Sequence, residues 1–294
     1  MYIASDPKPI ALRIAIIIPA YNEASFIAQT LESLLAQTVK AAQIIVVDDN
    51  STDNTYDVAS RFTDRLPITI IRNASAAENI PGTKVINAFK KGLELVDLNK
   101  VDIICKFDAD LIFPEHYLED IVVRFRESEK TGMAAGHCII EVNNRWVVEN
   151  QNNPDHIRGA LKAYRTACFK EIGGLRSSIG WDTIDEMLAR YYGWQVKTIE
   201  GLHVKHLKPT GAAYKPKSMQ LQGEAFYKMH YGWLLTVITA LKMAANKRQP
   251  NLFTDYLKGY FKAQKNGIDP ILNKDQGRFL RQYRWNGIKS KLGF

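Results

Sequence analysis

The sequence of 294 residues has few cysteines and no long hydrophobic run. Its three cysteines, Cys105, Cys138 and Cys168, lack the spacing of metal ligands and predict buried thiols in a reducing compartment, not a disulfide framework. A membrane-spanning helix needs about 20 apolar residues, whereas the longest C-terminal candidate, 233–245, is shorter and is interrupted by Lys242. The N-terminus also lacks the pattern of a signal peptide. These absences predict a cytoplasmic protein.

Acidic side chains are scarce in the C-terminal part of the chain. Residues 205–294 carry 17 Lys and Arg against 4 Asp and Glu, a net charge of +13, whereas residues 1–204 have a net charge of −5. Such a basic segment indicates an anionic partner. Two alternatives stay open for its amphipathic helices, which are rich in lysine and aromatic residues. They lie on an anionic membrane, at the inner face of the cytoplasmic membrane, or they pack on the rest of the chain.

What the sequence does contain is a regular alternation of strand and helix patterns. Apolar runs at 12–18, 43–47, 68–71 and 101–105 predict buried strands, and segments with helical spacing lie between them. This alternation predicts an α/β fold, a mostly parallel sheet with helices on both faces. A further strand is expected at 134–142, followed by a polar, acceptor-side loop at 143–154.

Carboxylates follow three of the predicted strands. Glu23 comes after the first strand, Asp48 and Asp49 after the second, and Asp108 and Asp110 after the fourth. Parallel strands bring their carboxyl ends to one edge of a sheet, so these side chains are expected to share a crevice. Turn and cap chemistry explains each motif alone. It does not explain the cluster, whose mutual repulsion calls for a cation such as Mg²⁺ or Mn²⁺.

Three motifs together resemble glycosyltransferase family 2, which has the GT-A fold. They are Ile-Ile-Ile-Pro-Ala-Tyr-Asn-Glu at 16–23, Val-Val-Asp-Asp-Asn-Ser-Thr-Asp at 46–53 and Phe-Asp-Ala-Asp at 107–110. The resemblance runs from about residue 12 to about 210. It implies a metal-dependent, inverting transfer of sugar from a UDP- or dTDP-type nucleotide-diphosphate sugar, with Mn²⁺ or Mg²⁺ as cofactor. The implied acceptor is a glycan or a lipid-linked sugar in surface polysaccharide biosynthesis.

The resemblance also implies which residues bind the donor. Pro19, Tyr21 and Glu23 would line the nucleotide pocket, and Asp49 would hydrogen-bond the nucleobase. Lys84 falls in a helix near the donor and is kept as a donor-binding candidate, although a solvated lysine is the favoured interpretation there.

The implied metal ligands lie further along the chain. Asp110 would be the principal ligand, and Asp108 would lie nearer the ribose and the water shell of the metal. His206 would be a third contact to the metal or to the diphosphate.

The family pattern leaves two candidates for the catalytic base. An ungapped count back from Gly193 places Asp182 on the acidic motif of the family, whereas a count from Arg190 points between Ile184 and Asp185. Asp182 is favoured, with Asp185 as its support or its replacement. The alternative role for Asp182 is to cap the following helix.

The expected domain organisation is a GT-A catalytic domain at 1–214 and a basic, amphipathic helical extension at 215–294. The nucleotide-sugar half would span about 12–112 and the acceptor half about 113–214. A sugar-nucleotide pyrophosphorylase is a competing interpretation, but it would need a Gly-rich phosphate loop after the first strand. The missing Gly-x-Gly-x-x-Gly turn also argues against dinucleotide binding. A nucleic-acid-binding protein is disfavoured, because phosphates would meet the acid cluster, and no nucleic-acid partner is expected.

Overall fold

The computed structural model describes residues 12–74, 82–149, 155–208, 216–291 and 293. These residues form an α/β structure around one nine-stranded sheet. The strands are β1 Ile14–Ala20, β2 Gln43–Asp48, β3 Ile68–Arg72, β4 Ile103–Phe107, β5 Leu111–Ile112, β6 Thr131–Val142, β7 Arg145–Val148, β8 Leu161–Arg165 and β9 Gln195–His206. The helices are α1 Ile27–Leu35, α2 Thr55–Ser60, α3 Thr83–Leu93, α4 Tyr117–Glu127, α5 Thr166–Glu171, α6 Trp181–Tyr191, α7 Pro216–Lys228, α8 Trp233–Lys247, α9 Asn251–Lys265 and α10 Lys274–Lys291.

The sheet has the strand order β3-β2-β1-β4-β8-β6-β9-β5, and β7 pairs with β6. The first four strands in this order run parallel, and β8 is antiparallel to both of its neighbours. All seven residues of β1 are buried, as its continuous apolar run predicts. The predicted α/β class is confirmed, and the parallel half of the sheet is the half in which the strand-end carboxylates lie.

The polar segment at 143–154 differs from the predicted loop. Residues Arg145–Val148 form β7, which pairs antiparallel with the end of β6. Asn143 and Asn144 connect the two strands and have φ values of 50° and 59°. Asparagine tolerates this left-handed conformation, which a two-residue hairpin turn requires at both positions. The prediction of a loop was therefore wrong for 145–148, and residues 150–154 lie outside the described part of the chain.

A short antiparallel pairing carries the end of β9 to the acid cluster. In this pairing Leu111 of β5 lies opposite His206 of β9. The Leu207 N–H donates to the carbonyl oxygen of Asp110 at 2.9 Å. As a result, His206 lies beside Asp110 although 96 residues of sequence separate them.

The C-terminal helices pack on one another and on α6. Phe279 of α10 lies edge-on to Tyr191, with ring centroids 5.6 Å apart, and Arg190 lies over the Tyr283 ring at 5.5 Å. The predicted boundary between residues 214 and 215 falls outside the described residues, so the division into two domains stays a prediction. Among the helices that the structure describes, none is long and apolar enough to cross a membrane.

Helices α7 and α9 cross at two glycines, which suggests a direct test. A Cβ on Gly259 would lie 1.9 Å from the Gln220 carbonyl oxygen, and one on Gly223 would lie 2.0 Å from that of Tyr256. We expect Gly259→Ala to destabilise the protein by about 1–3 kcal/mol, the usual cost of overpacking. Thermal unfolding followed by circular dichroism measures the change.

The matched control is Gly287→Ala in α10, where nothing lies within 4 Å of an added Cβ. Alanine favours a helix over glycine by about 1 kcal/mol, so this variant should melt at or above the temperature of the native protein. If Gly259→Ala melts like the native protein, the two helices do not meet backbone to backbone.

Candidate active site

The turns that follow β1 and β2 hold each other in place. Asn22 and Asn50 both adopt left-handed backbone angles, with φ of 55° and 63°, a conformation that asparagine tolerates well. The Asn22 N–H donates to the Ser51 hydroxyl at 2.9 Å, and the Asn22 side-chain oxygen accepts the Thr52 N–H at 2.8 Å. These bonds therefore fix Tyr21 and Glu23, on either side of Asn22, at the carboxyl ends of the parallel strands.

One end of the crevice carries an aromatic ring and a carboxylate. The Asn73 side-chain amide donates to Asp49 at 2.7 Å, and the Lys84 ammonium lies 3.9 Å from the other Asp49 oxygen. The same ammonium lies 3.9 Å from the centre of the Tyr21 ring. Only 14% of the Lys84 side chain is exposed, so the favoured interpretation of a solvated lysine was wrong. Asn73 belongs to this group and was not identified from the sequence as a site residue.

The other end of this crevice is crowded with acids. Ligand atoms of Asp108, Asp110 and His206 all lie within 4.8 Å of one another. Burial raises the pKa of Glu23 against the hydrogen bond from Lys208, and the negative charge of Asp110 raises it further. The Oε2 atom of Glu23 is buried and has no hydrogen-bond partner among the described residues. Lys208 therefore satisfies one oxygen of Glu23 and leaves the other without a partner beside the two aspartates.

Glu149 is a second carboxylate against His206. The His206 ring lies between Asp110, 3.4 Å from its Nε2, and Glu149, 3.2 Å from its Nδ1. Burial opposes protonation of His206, but hydrogen bonds with the two carboxylates raise its pKa to about 9. Arg158 in turn binds Glu149 at 2.9 Å. Glu149 was missed because it reaches His206 only through the β6–β7 hairpin.

The residues at this corner fit a divalent cation. Two carboxylates and one imidazole, which would bind a cation in its deprotonated form, supply oxygen and nitrogen donors of the kind that Mn²⁺ accepts, and carboxylates also suit Mg²⁺. The three side chains lie close enough to share one ion. The unpartnered Glu23 oxygen beside them is a further sign that a positive charge belongs here.

Two neighbouring cavities meet at Asp108. The first has a volume of about 280 Å³, and the second about 340 Å³. The first is lined by Pro19, Ala20, Tyr21, Glu23, Lys84, Val85, Asp108, Ala109, Asp110 and Lys208. The second is lined by Gly82, Val85, Lys106, Asp108, Arg158, Gly159, Ala160, Ile179, Gly180, Trp181 and Asp182. All the sequence-predicted donor and metal residues except Asp49 and His206 therefore line the first cavity, and Asp182 lines the second.

Asp182 lies in the first turn of α6 without capping it. The cap position is Gly180, and no side-chain cap hydrogen bond forms, so the alternative role as a cap was wrong. The Asp182 side chain is 28% exposed and reaches the second cavity. Burial opposes its ionisation, but a hydrogen bond with His156 and the positive charge of Lys162 outweigh burial and lower its pKa to about 2. Asp182 is therefore ionised and accessible.

Asp185 has a different environment. Its carboxylate is 2% exposed and accepts hydrogen bonds from the Lys162 ammonium at 2.7 and 2.9 Å and from the Tyr164 hydroxyl at 2.5 Å. Burial raises its pKa to about 6 even though the charge of Lys162 lowers it. Both of its oxygens are already engaged within the core, which favours a structural role.

Two buried lysines were not identified as site residues from the sequence. Lys106 of β4 lies opposite Lys162 of β8, and the two ammonium groups lie 5.3 and 5.4 Å from the Trp181 ring centre. Lys106 donates to the Gly159 carbonyl oxygen at 2.9 Å and also to Asp108. The available signal was a charged residue inside an otherwise apolar strand, because lysine is rarely buried without a partner.

Comparison with known proteins places this geometry in a family. The model of Glycosyl transferase family 2 matches residues 15–176. An uncharacterized glycosyltransferase of Nostoc sp. is 30% identical over 169 residues, which are 56% of this chain and 50% of that protein. The matched region thus spans about half the length of this curated relative.

Solved structures show the same fold. TarS from S. aureus, in complex with UDP-GlcNAc, has a TM-score of 0.57 at 18% identity, over 91% of this chain and 78% of that one. The mannosyltransferase PcManGT from Pyrobaculum calidifontis, in complex with GDP-Man and Mn²⁺, has a TM-score of 0.58 at 14% identity, over 96% and 82%. The GT-A fold and the glycosyltransferase class predicted from the sequence are confirmed. Since the family model covers more than half of the chain, this protein belongs to glycosyl transferase family 2.

Proposed function

We propose that this glycosyltransferase is metal-dependent and inverting, and that it uses a UDP- or dTDP-type sugar as its donor. The observation that carries the proposal is the pair of cavities that meet at Asp108. The first is lined by Asp108 and Asp110, which together with the adjacent His206 suit a cation and a diphosphate. The other presents an ionised carboxylate, Asp182, about where an acceptor hydroxyl would enter.

The nucleotide would bind in the first cavity. Tyr21, whose side chain is exposed, offers a ring face, and the Asp49 carboxylate can accept the imide N–H that uracil and thymine share. Lys84 links the two groups and supplies a positive charge. The complexes of TarS with UDP-GlcNAc and of PcManGT with GDP-Man support a nucleotide-sugar donor as the general class.

The diphosphate would lie against Asp110, Asp108 and His206, which are the proposed metal ligands. A divalent cation bound there would neutralise the charge on the departing diphosphate. Glu149 orients the His206 ring through its Nδ1 atom, as partners of metal-bound histidines generally do. The presence of Mn²⁺ in the PcManGT complex supports this proposal.

The chemical step needs a base on the opposite side of the sugar from the diphosphate. The Asp182 carboxylate would take the proton of the acceptor hydroxyl while that oxygen attacks the anomeric carbon. The bond from the anomeric carbon to the diphosphate oxygen breaks, and the configuration at that carbon inverts. The Trp181 ring, which lines the second cavity, would give the sugar an apolar wall.

The proposed acceptor is a glycan or a lipid-linked sugar, in the synthesis of a surface polysaccharide on the cytoplasmic side of the membrane. The C-terminal helices support a peripheral contact with that membrane. Trp233, Leu234 and Leu241 of α8 are 61%, 45% and 53% exposed, and Phe261 of α9 is 48% exposed. Lysines and an arginine near them would face the anionic headgroups: Lys242, Lys247, Arg248 and Lys262.

The metal proposal predicts how nucleotides bind. UDP should bind more tightly in Mn²⁺ than in EDTA, and Asp110→Asn should abolish that difference, because a carboxylate that holds the ion is lost. Isothermal titration calorimetry with UDP, dTDP and GDP measures both effects. The control is Asp97→Asn, an exposed carboxylate that pairs with Lys100 away from the crevice. Equal affinity of the native protein for UDP in EDTA and in Mn²⁺ would contradict a metal-dependent site.

The assignment of the base predicts a loss of turnover. Asp182→Asn should lower kcat by at least about 100-fold, since general bases typically contribute 100- to 10,000-fold. The affinity for UDP in Mn²⁺ should stay the same, because Asp182 lies outside the first cavity. Asp185→Asn is the matched comparison and should lower thermal stability more than kcat. The base is Asp185 instead if that variant alone is inactive.

The membrane proposal predicts binding to anionic vesicles. The native protein should sediment with phosphatidylglycerol vesicles at low salt, less so as ionic strength rises, since salt screens the attraction. Replacing Trp233, Leu234 and Leu241 by serine should abolish sedimentation. The control replaces three exposed residues of other surfaces, Leu95, Val123 and Val142, by serine. Native protein that stays in the supernatant at low salt would refute the contact.

A further inference from the structure

His156 bridges two carboxylates of α6. Its Nε2 atom lies 3.5 Å from an oxygen of Asp182, and its Nδ1 atom lies 3.0 Å from an oxygen of Glu186. The side chain is 14% exposed. A single imidazole thus contacts the proposed base on one side and a buried acid on the other.

Glu186 is itself held firmly. Its side chain is 5% exposed, and its Oε1 atom accepts the backbone N–H of Ile157 at 2.9 Å. The same oxygen lies 3.4 Å from the Lys162 ammonium. Because Glu186 is fixed by these partners and by the helix, it fixes the ring of His156. The ring in turn limits where the Asp182 carboxylate can point.

His156 contacts Asp182 but does not line the second cavity in the described part of the chain. It lines instead a separate cavity of about 130 Å³ between α6 and α10. The charged and titratable groups around His156 and Asp182 come from every neighbouring element: Asp155, Arg158, Lys162, Glu186, Arg190, Tyr283 and Arg284. The two groups within hydrogen-bonding reach of the ring are both carboxylates, Asp182 itself and Glu186. These two carboxylates therefore stabilise the protonated, positively charged form of the ring.

We propose that His156 is a positioning residue for the sugar transfer, whose imidazolium orients the Asp182 carboxylate and keeps it ionised. The inference rests on the proposed role of Asp182 as the base. His156 acts only through Asp182, since it does not line the second cavity among the described residues.

The charges set a pH window for this arrangement. Burial opposes protonation of His156, yet its bonds with Asp182 and Glu186 raise its pKa to about 9. Asp182 has its pKa lowered to about 2, with burial opposing the shift and His156 the strongest cause of it. The ion pair is therefore present above about pH 2 and below about pH 9. Acid would protonate Asp182, and alkali would discharge His156.

The first experiment compares pH profiles of kcat in His156→Gln and the native enzyme. Burial raises the pKa of Asp182, and without the imidazolium there is less to oppose that effect. The pKa of Asp182, and with it the acid limb of the profile, should therefore rise by roughly 1–3 units, the usual effect of losing one nearby opposite charge. The alkaline limb near pH 9 should vanish. The affinity for UDP in Mn²⁺ should stay within about twofold, which also shows that the variant is folded.

The matched control is His116→Gln, which removes an exposed histidine 3.5 Å from Asp120 on α4. Its profile should match that of the native enzyme. An unchanged profile in His156→Gln alongside an inactive Asp182→Asn would overturn the positioning role and leave the base assignment intact. Normal turnover in Asp182→Asn would overturn both.

A second measurement does not depend on activity. Nuclear magnetic resonance titration of the His156 ring should show its pKa falling by roughly 1–3 units in Asp182→Asn, because one neighbouring negative charge is removed. Glu186→Gln should lower it as well. A His156 pKa that is the same in the native protein and in Asp182→Asn would overturn the proposal.

Discussion

Parallel pairing of β1 with both β2 and β4 is the constraint on which the site depends. In this register Ala20 lies opposite Asp48, and the aspartate motif after β4 emerges beside the turn that follows β1. Because all seven residues of β1 are buried, a shifted register would place apolar side chains against the wrong neighbours. The packing of the core therefore determines where Glu23, Asp49 and Asp108 meet.

Opposite charges compensate one another beside the second cavity, around the start of α6. The first two turns of α6 carry three acids, Asp182, Asp185 and Glu186, against a buried part of the sheet. Lys162 lies among them, and the carboxylates raise its pKa although burial opposes that. A buried ion pair is worth keeping only when each charge finds good partners. Here the lysine satisfies Asp185 and leaves Asp182 free to face the cavity.

Local sequence signals predicted the carboxylates at the strand ends better than the residues that surround Asp182 and His206. Apolar runs that end in carboxylates placed Asp49, Asp108 and Asp110 on one edge of the sheet. This inference needs no long-range information, because the carboxyl ends of parallel strands always lie at the same edge. Lys162 and Glu149 were missed because an antiparallel strand and a hairpin bring them in from a distance. His156 was missed because it lies between β7 and β8, outside any motif. Periodicity left Asp182 and Asp185 on similar faces of one helix, and only burial tells the two environments apart.

The contact between α10 and α6 bears on how such enzymes are divided into modules. The helix that carries Asp182 at its beginning contacts α10 at its end, through Phe279 against Tyr191 and Tyr283 against Arg190. A chimera joined at residue 214 would lose these contacts. The end of α6 would then be exposed to water, and the helix would be free to tilt. Because the proposed base lies on α6, an exchange of acceptor specificity between relatives should transplant α6 and α10 together.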